Sequence, residues 1–361
     1  MGNYLNQLKM FLFQTFETAL KLFTPNVMTL RKAYKPFSYP TLFQRWDTHE
    51  HSHWLPSETS LHDDITDFHS LENAQQDFIE NIFKFFTQGD IDVANGYTKH
   101  FIPVFQQTEI KMMLMSFAAR EAIHIHGYSL LIETLGLGSE TYSIFLKFKP
   151  LMDKHDYLNK HHFARRPWSW LFHRIDLEEL LVKIAVFSGF VEGMQLFSSF
   201  VMLLNFPRHG KMKGMGAIVE WSVADEIQHT KGMMSLFNIL MDECKHVVRV
   251  GMIQERIYEI AQEMVDLEDC FIDMVFGEND EMFNLSKVDV KSFIRFICDL
   301  RLKDMSMSPI FGQHNDPIPW FFEAIKSTAH QNFFESPNTE YSVATATGDW
   351  SSVFKTNKKE I

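Results

Sequence analysis

Apolar side chains recur at three- and four-residue steps over long stretches of this chain. The runs are "SLENAQQDFIENIFKFF", "EIKMMLMSFAAREAIHIHGYSLLIETL", "LEELLVKIAVFSGFVEGMQLFSSFVMLLNF" and "AIVEWSVADEIQHTKGMMSLFNIL". That period belongs to helices with a buried face. Alternating runs closed by Asn-Gly or Asp-Gly are nearly absent, so the pattern predicts an all-α protein.

Breaks between the runs set the organisation. Pro25, Pro36, Pro40 and Pro56 interrupt any long helix over residues 1–70, which predicts an arm of short helices. A helix then runs from near Ser70 towards Pro103, and Thr108 is the expected N-cap of the next, which lasts to "GLGSE". A second helical hairpin rises through residues 177–206, turns across "PRHGKMKGMG" and returns from Ala217. Further helices are expected from Val247 onward, making residues 71–331 one domain. Residues 332–361, rich in Ser, Thr and Asn and without helical period, predict a flexible C-terminal tail.

At 361 residues and 45% hydrophobic content the chain can build a large core. A net charge of −12 without basic runs argues against nucleic-acid or anionic-membrane partners. Cys244, Cys270 and Cys298 are odd in number and lack CxxC spacing, as in a reducing, cytoplasmic setting. No targeting segment is evident. The apolar run from Leu180 to Phe206 carries Lys183, Glu192 and Gln195, so it reads as a buried bundle helix and not a membrane span.

Inside these apolar helices the same charged pair stands twice: Glu121 with His124, and Glu226 with His229. Groups three apart share a helical face and can hold one metal ion between them. Each hairpin supplies another acid at the matching height. Asp90 lies 13 residues before Pro103 and Glu121 13 after Thr108, while Glu192 and Glu226 each lie 17 residues from position 209. Asp90, Glu121, His124, Glu192, Glu226 and His229 are therefore expected to meet midway along a four-helix bundle. Four carboxylates and two imidazoles suit a pair of iron or manganese ions. Without cations, burying the four acids would cost several kcal/mol each. Asp92 competes with Asp90 for the first position, and the two point to different faces. The "HEHSH" run, His49 to His53, lacks an acid at helical spacing and reads as arm packing.

The pieces "FFTQGD", "REAIHIHGY", "FVEGMQLFSSF", "ADEIQH" and "TEYSVATATGDW" together resemble the small, radical-generating subunit of class I ribonucleotide reductase, a ferritin-like helical bundle, from about Trp54 to the tail. The resemblance implies a di-iron-oxo centre of two iron ions, or manganese or a mixed Mn/Fe pair, and a homodimer. It implies a stable radical on Tyr128 and a transfer chain through Trp54, Asp225 and His124. It also implies that Tyr341 hands the radical to a large catalytic subunit, with Trp350 and Phe354 anchoring the tail. Ser222 and Leu196 depart from the large apolar residues common around the radical pocket. Two other readings share the ligand set. One is a ferritin-like oxidase or hydroxylase acting directly on an apolar substrate, which needs no aromatic tail. The other is a metal-binding structural bundle, in which Tyr128 and Tyr341 would be dispensable.

Overall fold

The structure, a computed structural model, describes residues 24–138, 141, 149–163 and 177–325. The arm contributes two short helices, α1 (Pro40–Glu50) and α2 (His62–Ser70). Proline opens α1, where its missing N–H leaves no hydrogen bond unmade. Helix α3 (Asn73–Gly96) begins at a reciprocal cap in which the Glu72 backbone N–H donates to the Gln75 side chain. It continues through a wider π turn, Tyr97–Phe101, before Pro103 ends it. Helix α4 (Thr108–Thr134) corrects one expectation: Thr108 is its first residue and Gln107 precedes it in extended backbone. The Gln107 amide is turned to the arm, donating to the carbonyls of Asn26 and Thr29.

Helix α5 (Lys149–Phe163) is followed by the long α6, Leu177–Arg208, whose middle, Ala185–Gln195, is again a π segment. The second turn is tighter than the sequence suggests. Pro207 falls inside the last turn of α6, and α7 (Lys213–Cys244) already starts at Lys213. Left-handed backbone at Gly210 and Met212 reverses the chain. A side chain at Gly216 would place its Cβ 2.4 Å from the Pro207 ring, so glycine lets the two helices cross at the turn itself. Helix α8 (Val250–Phe276), a hairpin of two-residue strands (Glu281–Met282 with Leu285–Ser286) and α9 (Lys287–Asp304) follow, and the described chain ends in a further helical stretch over residues 319–325.

Helices α3, α4, α6 and α7 form the bundle. Helix α1 lies on α4 and α7, while α8 and α9 pack behind α6 and α5 lies on α8. The arm therefore sits against the same two helices that carry the Glu-x-x-His pairs. The apolar window of α6 is wholly buried, as expected of a core helix.

Behind α6 one ion pair is also wholly buried. Lys154 on α5 donates to Glu268 on α8 at 2.7 Å and sits 4.4 Å from the Phe271 ring, and the Ser198 hydroxyl donates to the same carboxylate. Burial lowers the lysine pKa and raises that of the glutamate, so each ion is held mainly by the other. Lys154→Ala leaves Glu268 uncompensated, and the free energy of unfolding should fall by about 3–5 kcal/mol. Denaturant titration measures this, and a loss under about 1 kcal/mol contradicts it.

Candidate metal centre

Glu121 and His124 project from one face of α4, and Glu226 and His229 from the facing side of α7; all four are buried. Glu192 joins them from the π segment of α6. Gly193 makes this approach available. A Cβ there would stand 2.8 Å from Arg301 Cδ and 3.0 Å from Thr230 Cγ2, so glycine lets α6 settle against α7 and α9 beside the carboxylate. Ligand atoms of Glu121, Glu192, Glu226 and His229 lie within 4.8 Å of one another.

The contacts sort into two sides. His124 Nδ1 lies 3.4 Å from Glu121 Oε2 and 3.2 Å from Glu226 Oε1. His229 Nδ1 lies 3.1 Å from Glu121 Oε1 and 3.3 Å from Glu226 Oε2. Each of the two glutamates therefore offers one oxygen to each imidazole. Glu192 belongs to the His229 side, with Oε1 3.2 Å from its Nδ1. Helical symmetry asks for an equivalent acid on the His124 side, where the sequence places Asp90, whose side chain lies outside the described residues. Asp92 is turned elsewhere: its carboxylate meets His155 Nδ1 on α5 at 2.8 Å.

Electrostatics expose what the cluster lacks. Burial drives Glu192 up to about 7, helped by Glu226 and Glu121. Burial would also raise Glu121, but His124 and His229 outweigh it and hold it below the usual carboxylate value. Burial works against both charged imidazoles, yet the surrounding carboxylates lift each well above the ordinary histidine value. Beyond the imidazole nitrogens at 3.1–3.4 Å, neither oxygen of Glu121 or of Glu226 has a hydrogen-bond partner. Buried, acceptor-only oxygens spread over two imidazoles fit a pair of cations with oxygen and nitrogen ligands.

Around this centre the structure brings together the three residues that the resemblance put in one chain. Trp54 Nε1 donates to Asp225 Oδ2 at 2.7 Å, and the same oxygen lies 3.2 Å from His124 Nε2. The Trp54 ring also stacks on the His124 ring at 6.0 Å. Arg120 donates to Asp225 at 3.0 Å and, with His124, holds that carboxylate low against the upward push of burial. Tyr128 is buried on α4 one turn beyond His124. Leu196 is buried as well. The Ser222 hydroxyl donates to the Ile218 carbonyl of its own helix, so this departure is satisfied by the backbone. Tyr341 and the rest of the tail lie outside the described residues.

Three residues of the centre escaped the sequence reading. Tyr97 donates its hydroxyl to Glu192 at 2.8 Å, and its position seven residues past Asp90 on the same helical face was a usable signal. Arg120, directly before Glu121, was visible as one more charge in an apolar helix. His49 was read as arm packing. It does pack, on the Phe117 ring, but it is fully buried with its Nε2 3.2 Å from His229 Nε2. No periodicity links α1 to α7, so that contact had no trace in the sequence.

Residues 31–317 match the family model described as ribonucleotide reductase, small chain. The chain belongs to the ribonucleotide reductase small-chain family. It is 47% identical to a probable ribonucleoside-diphosphate reductase small subunit of Invertebrate iridescent virus 3, over 90% of this chain and 88% of that one. It is 26% identical to the ribonucleoside-diphosphate reductase subunit beta of Chlamydia pneumoniae, over 86% and 89% of the two chains. Its fold is similar to a ribonucleotide reductase R2 subunit from Clostridium botulinum, with a TM-score of 0.73 at 18% identity over 82% and 90% of the chains. It is also similar to a dimanganese(II) NrdF of Streptococcus sanguinis, with a TM-score of 0.66 at 17% identity over 82% and 99%. The chain is thus a small subunit of class I ribonucleotide reductase, its buried carboxylate–histidine cluster supports a dimetal centre, and a free-standing oxidase is not favoured.

Proposed function

We propose that this subunit generates and stores a tyrosyl radical for reduction of ribonucleotides by a large partner subunit. The observation that carries the reading is the division of Glu121 and Glu226 between His124 and His229, one oxygen to each. Asp90, Glu121 and His124 would hold one metal ion and Glu192, Glu226 and His229 the other, with the two middle glutamates shared. When bound, such a pair would supply one-electron oxidising power drawn from dioxygen. The proposed pair is iron; the same ligand set also suits manganese or a mixed pair, and the Streptococcus sanguinis neighbour is a dimanganese protein.

Tyr128 is the residue proposed to be oxidised. Its burial, 2% exposed, keeps water from the ring and favours a long-lived neutral radical. Trp54, Asp225 and His124 form the transfer path. Asp225 accepts from the indole N–H and from His124, so a proton can shift along the same contacts that carry the electron. Arg120 keeps Asp225 ionised and able to accept. From Trp54 the radical would pass to Tyr341 in the tail and so to the large subunit. The tail docks that partner through Trp350 and Phe354. A homodimer in the cytoplasm completes the assignment, and the arm (1–70), core (71–331) and tail (332–361) are its proposed parts.

Glu121→Ala and Glu226→Ala each remove an acid shared by both ions. Elemental analysis should find bound metal falling from about two ions per chain to below about one, with helicity retained; undiminished metal in both variants refutes the assignment.

Tyr128→Phe deletes only the hydroxyl. Electron paramagnetic resonance of the metal-loaded, oxygenated variant should lose the tyrosyl signal while metal content persists, and a signal with unaltered hyperfine structure places the radical elsewhere.

Removing residues 345–361 should leave metal and radical intact and abolish complex formation with the large subunit. Tyr341→Phe should keep binding and lose turnover. Normal affinity and full nucleotide reduction by the truncated protein exclude the docking role.

A further inference from the structure

His229 presents Nδ1 to Glu121, Glu192 and Glu226, so its Nε2 carries hydrogen whether the ring is a neutral metal ligand or a cation. The group facing that N–H is His49 Nε2, at 3.2 Å. His49 must therefore accept there, which requires a neutral ring with its hydrogen on Nδ1. The Nδ1 hydrogen has one partner to meet, the Ser116 hydroxyl at 2.7 Å. Ser116 in turn donates to Glu50, whose residue is exposed at the end of α1. With Ser116 donating to Glu50, every hydrogen in the series points one way, from His229 to the surface.

A competing arrangement sits close by. Asp225 Oδ1 lies 3.6 Å from His49 Nε2, beyond hydrogen-bond reach but near enough to attract a hydrogen placed there. That tautomer would leave the His229 N–H facing another N–H. Asp225 is already engaged by Trp54, Arg120 and His124, and Arg120 also donates to the His49 backbone carbonyl, which holds α1 in place. The two sides of the centre are thus backed differently. An ionised carboxylate stands behind His124, and a neutral imidazole stands behind His229.

We propose that His49 is a positioning residue of the metal centre, fixing the Nε2–H form and the ring orientation of His229, and that Glu50 sets the direction of the hydrogen-bond series through Ser116. Ligand histidines depend on such outer partners for about tenfold to a hundredfold in metal affinity. The effect should fall on one ion only, because His124 is backed independently by Asp225.

The inference rests on the dimetal reading, and the test separates the two. Full-length wild type, His49→Gln, His49→Leu and Ser116→Ala are titrated anaerobically with Mn(II), with free metal read by electron paramagnetic resonance. Wild type should take up two ions, and His49→Leu should weaken one of them by about tenfold to a hundredfold and leave the other. His49→Gln should stay within about threefold of wild type, because its amide oxygen can accept from His229. Ser116→Ala should fall between the two. Long-range 1H–15N spectra of the metal-free proteins, labelled at histidine, report the His49 hydrogen directly: hydrogen on Nδ1 with a bare Nε2 in wild type, whereas hydrogen on His49 Nε2 overturns the proposal. Wild-type affinity for both ions in His49→Leu overturns the proposal. So does equal weakening of both ions in the Leu and Gln variants, which assigns His49 to packing. Failure of wild type to bind metal ends the dimetal reading alone, and the nitrogen spectra still decide for or against His49.

Discussion

Three fully buried glutamates converge on two imidazoles inside an apolar bundle, and the two π segments that interrupt regular helix fall at that meeting. Like charges in a low-dielectric interior repel strongly, and an uncompensated carboxylate there costs several kcal/mol. The protein meets this with opposite charge and fixed geometry instead of solvent. Both histidines are pushed towards the cationic form, and the two middle glutamates divide their oxygens between them. A pair of metal ions supplies the same compensation with greater strength and directionality.

The scaffold departs from regular helix towards this end in small ways. The π segments of α3 and α6 fall where Tyr97 and Glu192 meet, and widened turns of this kind re-aim side chains inside otherwise regular helices. Gly193 allows close approach on the α7 side, and Gly216 allows the α6–α7 turn to close over Pro207. The arm is part of the same construction. It brings Trp54 and His49 against α4 and α7, so residues far from the bundle in sequence form the outer layer around both imidazoles.

That outer layer is unequal. Asp225, Arg120 and Trp54 stand behind His124 as a charged, hydrogen-bonded set that reaches an aromatic ring, an arrangement suited to moving an electron and a proton together. His49, Ser116 and Glu50 stand behind His229 with neutral groups until the surface is reached. One side resembles a conduit and the other a brace.

Much of this was legible in one dimension because helices repeat locally. The three-residue offset of Glu121 and His124, the matching offset of Glu226 and His229, and the equal distances to each hairpin turn are properties of 3.6-residue periodicity, so residue spacing alone placed Glu192 level with Glu226. Local capping was less legible, since Thr108 became a first helical residue once Gln107 was drawn to the arm. Only the tertiary structure decided between neighbours that periodicity cannot join. It turned Asp92 to His155, gave Tyr97 to Glu192, and brought His49 from an arm that reads as packing to within hydrogen-bond distance of His229. The physical reason is that a helix imposes its own repeat on residues within it, whereas the contact of one helix with another is fixed by the packing of the whole core.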